Sequence, residues 1–163
     1  SKWLFCLQPE QIEILVHPQS IIHSMVQYED GTVMAQLGVP DMKLPIAYAF
    51  SYPQRLTNTS DRLDFRKYAT LTFEEPDMEC FRNLAYAFDA VRKGGNMPCV
   101  LNAANEIVVA AFLQEKIGFL QMSDVIEETL SKALYIENPT YEDYVHTDAE
   151  AREIASQIAK RYR

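Results

Sequence analysis

The sequence lacks a run of about 18 apolar residues, so nothing in it has the length of a membrane-spanning helix. It also lacks an excess of positive charge: the net charge is -8, which disfavours nucleic acid, because nucleic-acid sites select basic surfaces. No secretory signal pattern opens the chain. Its start, Ser1-Lys2-Trp3-Leu4-Phe5, is typical of the middle of a domain and has no initiator methionine, so we expect a fragment. We predict a partner that is neither a membrane nor a nucleic acid.

Cysteine is scarce and unpaired. The three cysteines, Cys6, Cys80 and Cys99, are far apart, and none forms a CxxC pair or a Cys/His spacing that fits zinc. We expect three reduced, partly buried thiols in a cytosolic protein, and no metal site among these residues. The sequence also has no GxGxxG fingerprint and no P-loop, which excludes a phosphate or dinucleotide cradle built by those motifs.

The composition is that of an ordinary globular protein, 48% apolar and 23% charged. The clearest local signal is Asp30-Gly31, which predicts a β-hairpin with a two-residue type I′ turn, because both central positions of that turn need positive φ. This register pairs Val26 with Ala35 and His23 with Gly38. The predicted mostly apolar face carries Val26, Tyr28, Val33, Ala35 and Leu37, and the mixed face carries His23, Met25, Gln27, Met34 and Gln36.

The segments around the hairpin favour further strands and then helices. A strand is predicted over residues 11–16, before a corner at Pro18, so that at least three strands are consecutive. Residues 45–52 predict a short helix, and residues 53–70 are polar. After Pro76 the apolar residues recur at helical spacing. The first helix of this part is predicted to end at Gly94-Gly95, and later helices to start near Asn102, Ser123 and the Thr147–Glu150 capping box.

We therefore predict an α+β fold: a small antiparallel or mixed sheet with a hairpin, followed by a C-terminal bundle of about four helices. The bundle is expected because four amphipathic helices in about 85 residues can bury their apolar stripes only by packing together.

The hairpin carries the candidate chemistry at its open end. His23 lies on the more polar face, where an imidazole could position a proton; the alternative is a hydrogen-bonded sheet histidine with no role in chemistry. Ser20 offers a hydroxyl suited to a substrate or phosphate contact, and no acid completes a catalytic triad with it. Pro40 and Met42 could pack against a planar ring or a carbon chain, or simply against the protein. His17, before Pro18, is expected to have a structural role.

Two other clusters have simpler explanations. The paired amides of Asn102-Ala103-Ala104-Asn105-Glu106 are interpreted as helix capping. The acidic residues Asp124, Glu127 and Glu128 are interpreted as a solvated helix face near a helix N-terminus.

Three stretches together resemble a known enzyme family. They are Val16-His17-Pro18-Gln19-Ser20-Ile21-Ile22-His23-Ser24-Met25-Val26, the Ala35-Gln36-Leu37-Gly38 and Pro40-Asp41-Met42 segments, and Leu101-Asn102-Ala103-Ala104-Asn105-Glu106 with Val109-Ala110-Ala111-Phe112-Leu113. The chain is similar over nearly its whole length to the 1-deoxy-D-xylulose 5-phosphate reductoisomerase family.

That resemblance implies an activity and its cofactors. Members convert 1-deoxy-D-xylulose 5-phosphate to 2-C-methyl-D-erythritol 4-phosphate in non-mevalonate isoprenoid synthesis, by a skeletal rearrangement and a hydride reduction. They use NADPH and Mg²⁺ or Mn²⁺ and are homodimers. The setting would be the bacterial cytoplasm, or a plastid in a plant or alga. The implied division is the later part of the catalytic or dimerisation domain at residues 1–57, a linker at 58–78 and the helical domain at 79–163.

The resemblance also assigns roles to single residues. Ser20 matches a serine that contacts substrate, and His23 a histidine that full activity needs. Pro40 and Met42 match loop residues beside the nicotinamide. The family's metal ligands and nucleotide domain lie upstream of the matched part, so we expect this piece alone to be inactive. The rival interpretation is a stand-alone, non-catalytic binding or dimerisation module.

Overall fold

The computed structural model describes residues 1–162 and divides the chain into two compact units. One unit is Ile14–Pro76, which contains the hairpin. The other consists of Ser1–Glu13 and the chain from Asp77 onward, and it contains the helix bundle. The first 13 residues thus belong to the helical unit, and the division at residues 57 and 79 stays a prediction for the family's domains. The α+β class and the C-terminal bundle are confirmed.

The hairpin unit contains three regular elements. Strand β1 (Ile22–Gln27) pairs antiparallel with strand β2 (Val33–Leu37), and helix α2 (Lys43–Ser51) follows. Within residues 1–162, the sheet consists of these two strands. Both strands are exposed along almost their whole length on both faces.

The turn of the hairpin has three residues instead of the predicted two. The Tyr28 amide donates to Thr32 O at 2.9 Å, and the Gly31 amide donates to Tyr28 O at 2.9 Å. Gly31 has φ 83, the positive value that the last position of a three-residue hairpin loop requires. The predicted register is therefore wrong by one position: Val26 pairs with Met34, and Met25 pairs with Ala35.

This shift also corrects the predicted faces of the sheet. In antiparallel strands, directly paired residues share a face. Val26 therefore lies on the same face as Met34, and Val33 lies on the same face as Gln27. Apolar and polar side chains are consequently mixed on both faces, and the predicted separation into an apolar and a mixed face is wrong.

The strand predicted over residues 11–16 does not form. Pro9–Gln11 is a short 3₁₀-helix, and only Val16 is extended against a neighbour. Val16 and Glu74 exchange two backbone hydrogen bonds of 2.9 Å each. No other residue of this segment pairs with a neighbouring strand. The alternation of apolar residues was therefore not sufficient to form a strand here.

The helical unit is built around one central helix. Helices α3 (Arg82–Lys93), α4 (Met97–Leu113), α5 (Phe119–Lys132) and α6 (Tyr141–Ala159) form the bundle, and a short helix α1 (Lys2–Phe5) precedes them in the chain. Helix α4 buries Val100, Ala103, Ala104 and Val108 at spacings of three and four residues, against Val125 and Ile126 of α5 and Ala151 and Ala155 of α6. The alanines allow α4 and α6 to approach closely.

Three predicted helix starts are wrong, because each of the three residues lies inside a helix that begins earlier. Helix α4 begins at Met97, so Asn102 lies inside it. Helix α5 begins at Phe119, so Ser123 also lies inside a helix. Helix α6 begins at Tyr141, where Thr140 and Asp143 form the capping box, and Thr147 is a buried residue within the helix. Gly94 does end α3 as predicted.

A single buried amide joins three segments of the bundle. The side chain of Asn96, which is fully buried, donates to Leu134 O at 2.8 Å and to Thr147 Oγ1 at 3.1 Å, and it accepts from the Ile136 amide at 3.0 Å. These contacts connect the start of α4 to the α5–α6 connection and to α6. Among residues 1–162, no helix is both long and apolar enough to cross a membrane.

Replacing Asn96 with alanine should therefore destabilise the bundle. The variant leaves the Leu134 carbonyl, the Ile136 amide and the buried Thr147 hydroxyl without these partners, and we expect a loss of roughly 2–4 kcal/mol in the free energy of unfolding. Denaturant unfolding followed by circular dichroism measures it. The matched control is Asn102→Ala, on the exposed surface of the same helix, which should change stability by less than about 0.5 kcal/mol. Equal losses in the two variants would contradict the role given to Asn96.

Candidate functional site

The first part of the candidate site is the turn that precedes β1. The Ser20 amide donates to His17 O at 2.9 Å, which closes a four-residue turn with Pro18 at its second position. Ser20 has φ 50, a left-handed conformation that is uncommon for a residue with a side chain. Such conformations persist only where surrounding contacts impose them, and they concentrate at functional sites. Ser20 is exposed.

The second part is a β-bulge at His23. Ile22 pairs with Leu37 and Ser24 pairs with Gln36, which leaves His23 as the extra residue of β1. The predicted pairing of His23 with Gly38 is wrong, because Gly38 donates its amide to Ile21 O at 2.9 Å. Bulges change the direction of a side chain and are common next to active sites. The His23 side chain is exposed.

The third part is the corner between β2 and α2. The Asp41 amide donates to Val39 O at 2.7 Å, so the chain turns sharply at Pro40. Asp41 accepts hydrogen bonds from the Lys43 amide at 2.9 Å and from Ser60 Oγ at 3.0 Å. The bond from the Lys43 amide holds the pKa of Asp41 below its ordinary value. Met42 is 70% exposed at the start of α2.

These three parts lie at the same end of the hairpin. The hydrogen bond from the Gly38 amide to Ile21 O joins the two sides of the hairpin there. Ile21 directly follows Ser20, and Gly38 lies two residues before Pro40. An exposed hydroxyl, an exposed imidazole and an apolar corner are thus presented by one short sheet. A hydroxyl can bind an anionic or hydroxylated ligand, an imidazole can donate or accept a proton, and a methionine can pack on a flat ring.

Sequence reasoning missed the residues that hold these parts in place. Asp41 could have been found, because an aspartate just before a helix commonly accepts from the backbone of its first turn. No pattern in the sequence around Thr72 indicated that it contacts the turn before β1. It contacts His17 and Gln19 from more than 50 residues further along the chain. His17 therefore bonds a backbone carbonyl, which fits the structural role expected for it, and that carbonyl belongs to Thr72.

The other polar clusters lie on the bundle and connect its helices. Asn102 donates to Glu106 at 3.1 Å within α4, so the interpretation as helix capping is wrong. Arg152 of α6 binds Glu106 and lowers the pKa of that carboxyl. In the acidic cluster, Arg82 pairs with Asp124, while Arg161 and Lys132 lower the pKa of Glu128 to about 2. These acids are paired across helices as well as solvated.

The chain's own residues do not fit a divalent metal. Between residues 1 and 162, no three His, Cys, Asp or Glu side chains are grouped closely enough to hold an ion. Such a site needs several oxygen or nitrogen ligands around one point. The three cysteines are free, with Cys6 and Cys80 exposed and Cys99 partly buried.

The bundle and the hairpin end match one family of known enzymes. The family model for the DXP reductoisomerase C-terminal domain matches residues 37–154. The chain is 65% identical over 155 residues to the 1-deoxy-D-xylulose 5-phosphate reductoisomerase of Phocaeicola vulgatus, which covers 95% of this chain and 41% of that protein. It is 52% identical over 163 residues to the reductoisomerase of Porphyromonas gingivalis, which covers 100% of this chain and 42% of the relative.

Solved reductoisomerase structures are also similar to this chain. The reductoisomerase from Zymomonas mobilis in complex with NADPH superposes with a TM-score of 0.87 at 45% identity, covering 98% of this chain and 42% of that one. A DOX-P reductoisomerase in complex with NADPH, fosmidomycin and magnesium gives a TM-score of 0.86 at 37% identity, covering 98% and 41%.

The fold thus places the chain among α+β proteins that end in a helix bundle. The chain belongs to the DXP reductoisomerase family, and its match to the family model lies in the C-terminal domain. It spans about two fifths of the length of the curated relatives that it matches.

The contacts of Asp41 should determine how rigid the Pro40–Met42 corner is. In an Asp41→Ala variant, the Lys43 amide loses its acceptor and Ser60 is released, so hydrogen exchange at residues 41–44 should become several-fold faster. The matched control is Asp30→Ala, which removes the equivalent bond to the Thr32 amide at the hairpin tip and should leave exchange at the corner unchanged.

The same contacts give the corner a pH dependence of known sign. Because the pKa of Asp41 is lowered, its contribution is present at neutral pH and is lost as the pH falls below the ordinary value of 3.8. Unchanged exchange at Lys43 in Asp41→Ala would contradict the assignment of this contact.

Proposed function

We propose that this chain is the C-terminal part of a reductoisomerase that converts 1-deoxy-D-xylulose 5-phosphate to 2-C-methyl-D-erythritol 4-phosphate. The observation that supports this most directly is the match to the family model over residues 37–154, together with 65% identity to a curated reductoisomerase. The hairpin end is the part of this chain that would contribute to the active site. Homodimer formation and a cytoplasmic location remain predictions from the resemblance.

In this proposal, the hairpin end forms one wall of the substrate site. The Ser20 hydroxyl would hydrogen-bond the sugar phosphate. The His23 imidazole, directed by the bulge, would shape the site and position a proton of a substrate hydroxyl. Both side chains are exposed in this structure and therefore accessible to a ligand. A fosmidomycin complex in a related structure is consistent with a small-molecule site in the family.

NADPH, when bound, would supply the hydride for the reduction step. Pro40 and Met42 fit the apolar side of a nicotinamide, because the chain turns sharply at Pro40 and Met42 is 70% exposed. An apolar wall excludes water from one face of the ring, which protects a reactive carbonyl from side reactions. The described residues offer an apolar surface for the nicotinamide, but they provide no group of ligands for the metal.

A second candidate function rests on the exposure of the sheet. Val26, Val33 and Met34 are 55%, 53% and 62% exposed on a sheet that is open on both faces. Exposed apolar surface of this kind marks an interaction site, so the rival proposal is a non-catalytic binding or dimerisation module. An open reading frame that continues upstream in phase, with a glycine-rich fingerprint and an acidic cluster, would favour the enzyme.

Substitution of the two site residues in the intact enzyme tests the proposal. Ser20→Ala removes one substrate hydrogen bond and should raise KM roughly tenfold. His23→Gln should lower kcat/KM by about tenfold or more. Steady-state NADPH oxidation measures both. The matched controls, Ser131→Ala and His146→Gln, change exposed residues of the helical unit and should leave the kinetics unchanged. If Ser20→Ala and His23→Gln also leave kcat/KM unchanged, the site is assigned wrongly.

The chain alone should not turn over substrate. Purified residues 1–163, incubated with NADPH, Mn²⁺ and 1-deoxy-D-xylulose 5-phosphate, should oxidise no NADPH above a blank without protein. The reason is that its described residues offer no ligand set for the metal. The intact enzyme in the same buffer is the positive control. Substrate-dependent NADPH oxidation by the chain alone would contradict the expected inactivity.

A further inference from the structure

Every polar group of Thr72 is engaged by the turn that precedes β1. The Gln19 amide nitrogen donates to Thr72 Oγ1 at 2.8 Å, and the Thr72 amide donates to Gln19 Oε1 at 3.2 Å. His17 Nδ1 donates to Thr72 O at 2.7 Å. The Val16–Glu74 pair continues this contact on the other side of His17. We call the contacts of His17 and Gln19 with Thr72 the Thr72 clamp.

The environment of His17 fixes its orientation and its tautomer. A carbonyl oxygen can only accept, so the proton lies on Nδ1. The ring stacks on Phe73 with centroids 4.8 Å apart and an interplanar angle of 18°. Nε2 is buried and has no hydrogen-bond partner among the described residues.

Ser20 follows directly after the residues that form this clamp. Its φ of 50 is unfavourable for a residue with a side chain. The turn that ends at Ser20 closes through His17 O, and the clamp binds the side chains of both His17 and Gln19. If the clamp is released, the turn can relax and the Ser20 hydroxyl is no longer held in one place. The clamp itself lies outside the candidate site residues.

We propose that the Thr72 clamp positions Ser20 for the substrate, with His17 as its principal positioning residue. This inference rests on the substrate contact proposed for Ser20. It goes further, because it gives a kinetic role to residues that do not touch substrate. The clamp keeps the hydroxyl oriented before the substrate arrives, so substrate binding does not have to supply that ordering.

The experiment compares two substitutions of His17 in the intact enzyme. His17→Phe can keep the stacking on Phe73 but has no donor for Thr72 O. His17→Asn loses the ring, but its amide nitrogen lies near the position of Nδ1 and can restore the hydrogen bond. We expect KM for 1-deoxy-D-xylulose 5-phosphate to rise roughly tenfold in His17→Phe, with a smaller effect on kcat, and to return to within about threefold of the parent in His17→Asn.

A double-mutant cycle tests whether His17 acts through Ser20. In a Ser20→Ala background, His17→Phe should raise KM by less than about twofold, because the hydroxyl that it positions is already absent. His146→Phe, at an exposed histidine of α6, is the control and should leave KM unchanged. Thr72→Val is a milder variant that keeps the backbone contacts. It removes only the hydroxyl and should raise KM about threefold, even if His17→Phe does not fold.

Each other outcome is decisive. A lower melting temperature in His17→Phe and Thr72→Val with unchanged KM would make the clamp purely structural and overturn the proposal. An equal rise of KM in both backgrounds would also overturn it, because His17 would then act independently of Ser20. If Ser20→Ala leaves KM unchanged, both this inference and the substrate contact of Ser20 fail. If only the His17 and Thr72 variants leave KM unchanged, the substrate contact stands and the clamp proposal falls.

Discussion

Two hydrogen bonds at opposite ends of the hairpin are one residue out of register with each other, and the geometry of the candidate site depends on that mismatch. At the tip, the Tyr28–Thr32 bond sets one register; at the base, the Gly38–Ile21 bond sets another. Strands joined in two registers must accommodate one extra residue, and that residue is His23. The bulge is therefore a consequence of the three-residue turn at one end and the fixed corner at the other.

The two units of the chain are stabilised by different interactions. The bundle buries valines, isoleucines and alanines of its four helices, and the fully buried amide of Asn96 has partners for both its oxygen and its nitrogen. In the hairpin unit, Ile21 is the one apolar side chain that is fully buried. Polar contacts such as Asp41–Ser60 and Gln19–Thr72 hold the rest of it. Because hydrogen bonds are directional, this unit can fix the positions of exposed groups without a large core.

The sequence allowed the class of fold and the end of α3 at Gly94 to be predicted, but not the register of the hairpin or the first residues of α4, α5 and α6. Asp30-Gly31 correctly located the hairpin, yet the dipeptide serves two-residue and three-residue turns alike, and only the pairing at the base distinguishes them. Thr140–Asp143 and Thr147–Glu150 both fit the pattern of a capping box. The second fails because Thr147 accepts a hydrogen bond from buried Asn96, a tertiary contact that no local pattern reveals. The predicted hairpin placed the candidate site residues at its open end, and the roles that the family's motif implies for them remain predictions.

His17 and His23 belong to the same short motif, and the structure gives them opposite surroundings. The His17 ring is stacked on Phe73, bonded at Nδ1 and buried at Nε2, so it is held in one orientation and one tautomer. His23 is exposed at a bulge. A ring whose donor is already engaged is suited to holding the backbone, and an exposed ring is suited to meeting a ligand. Since Ser20 lies between them with a left-handed backbone, the motif places a rigid histidine before the serine and an accessible one after it. In this motif, His17 is therefore placed to support the backbone, and His23 is placed to contact a ligand.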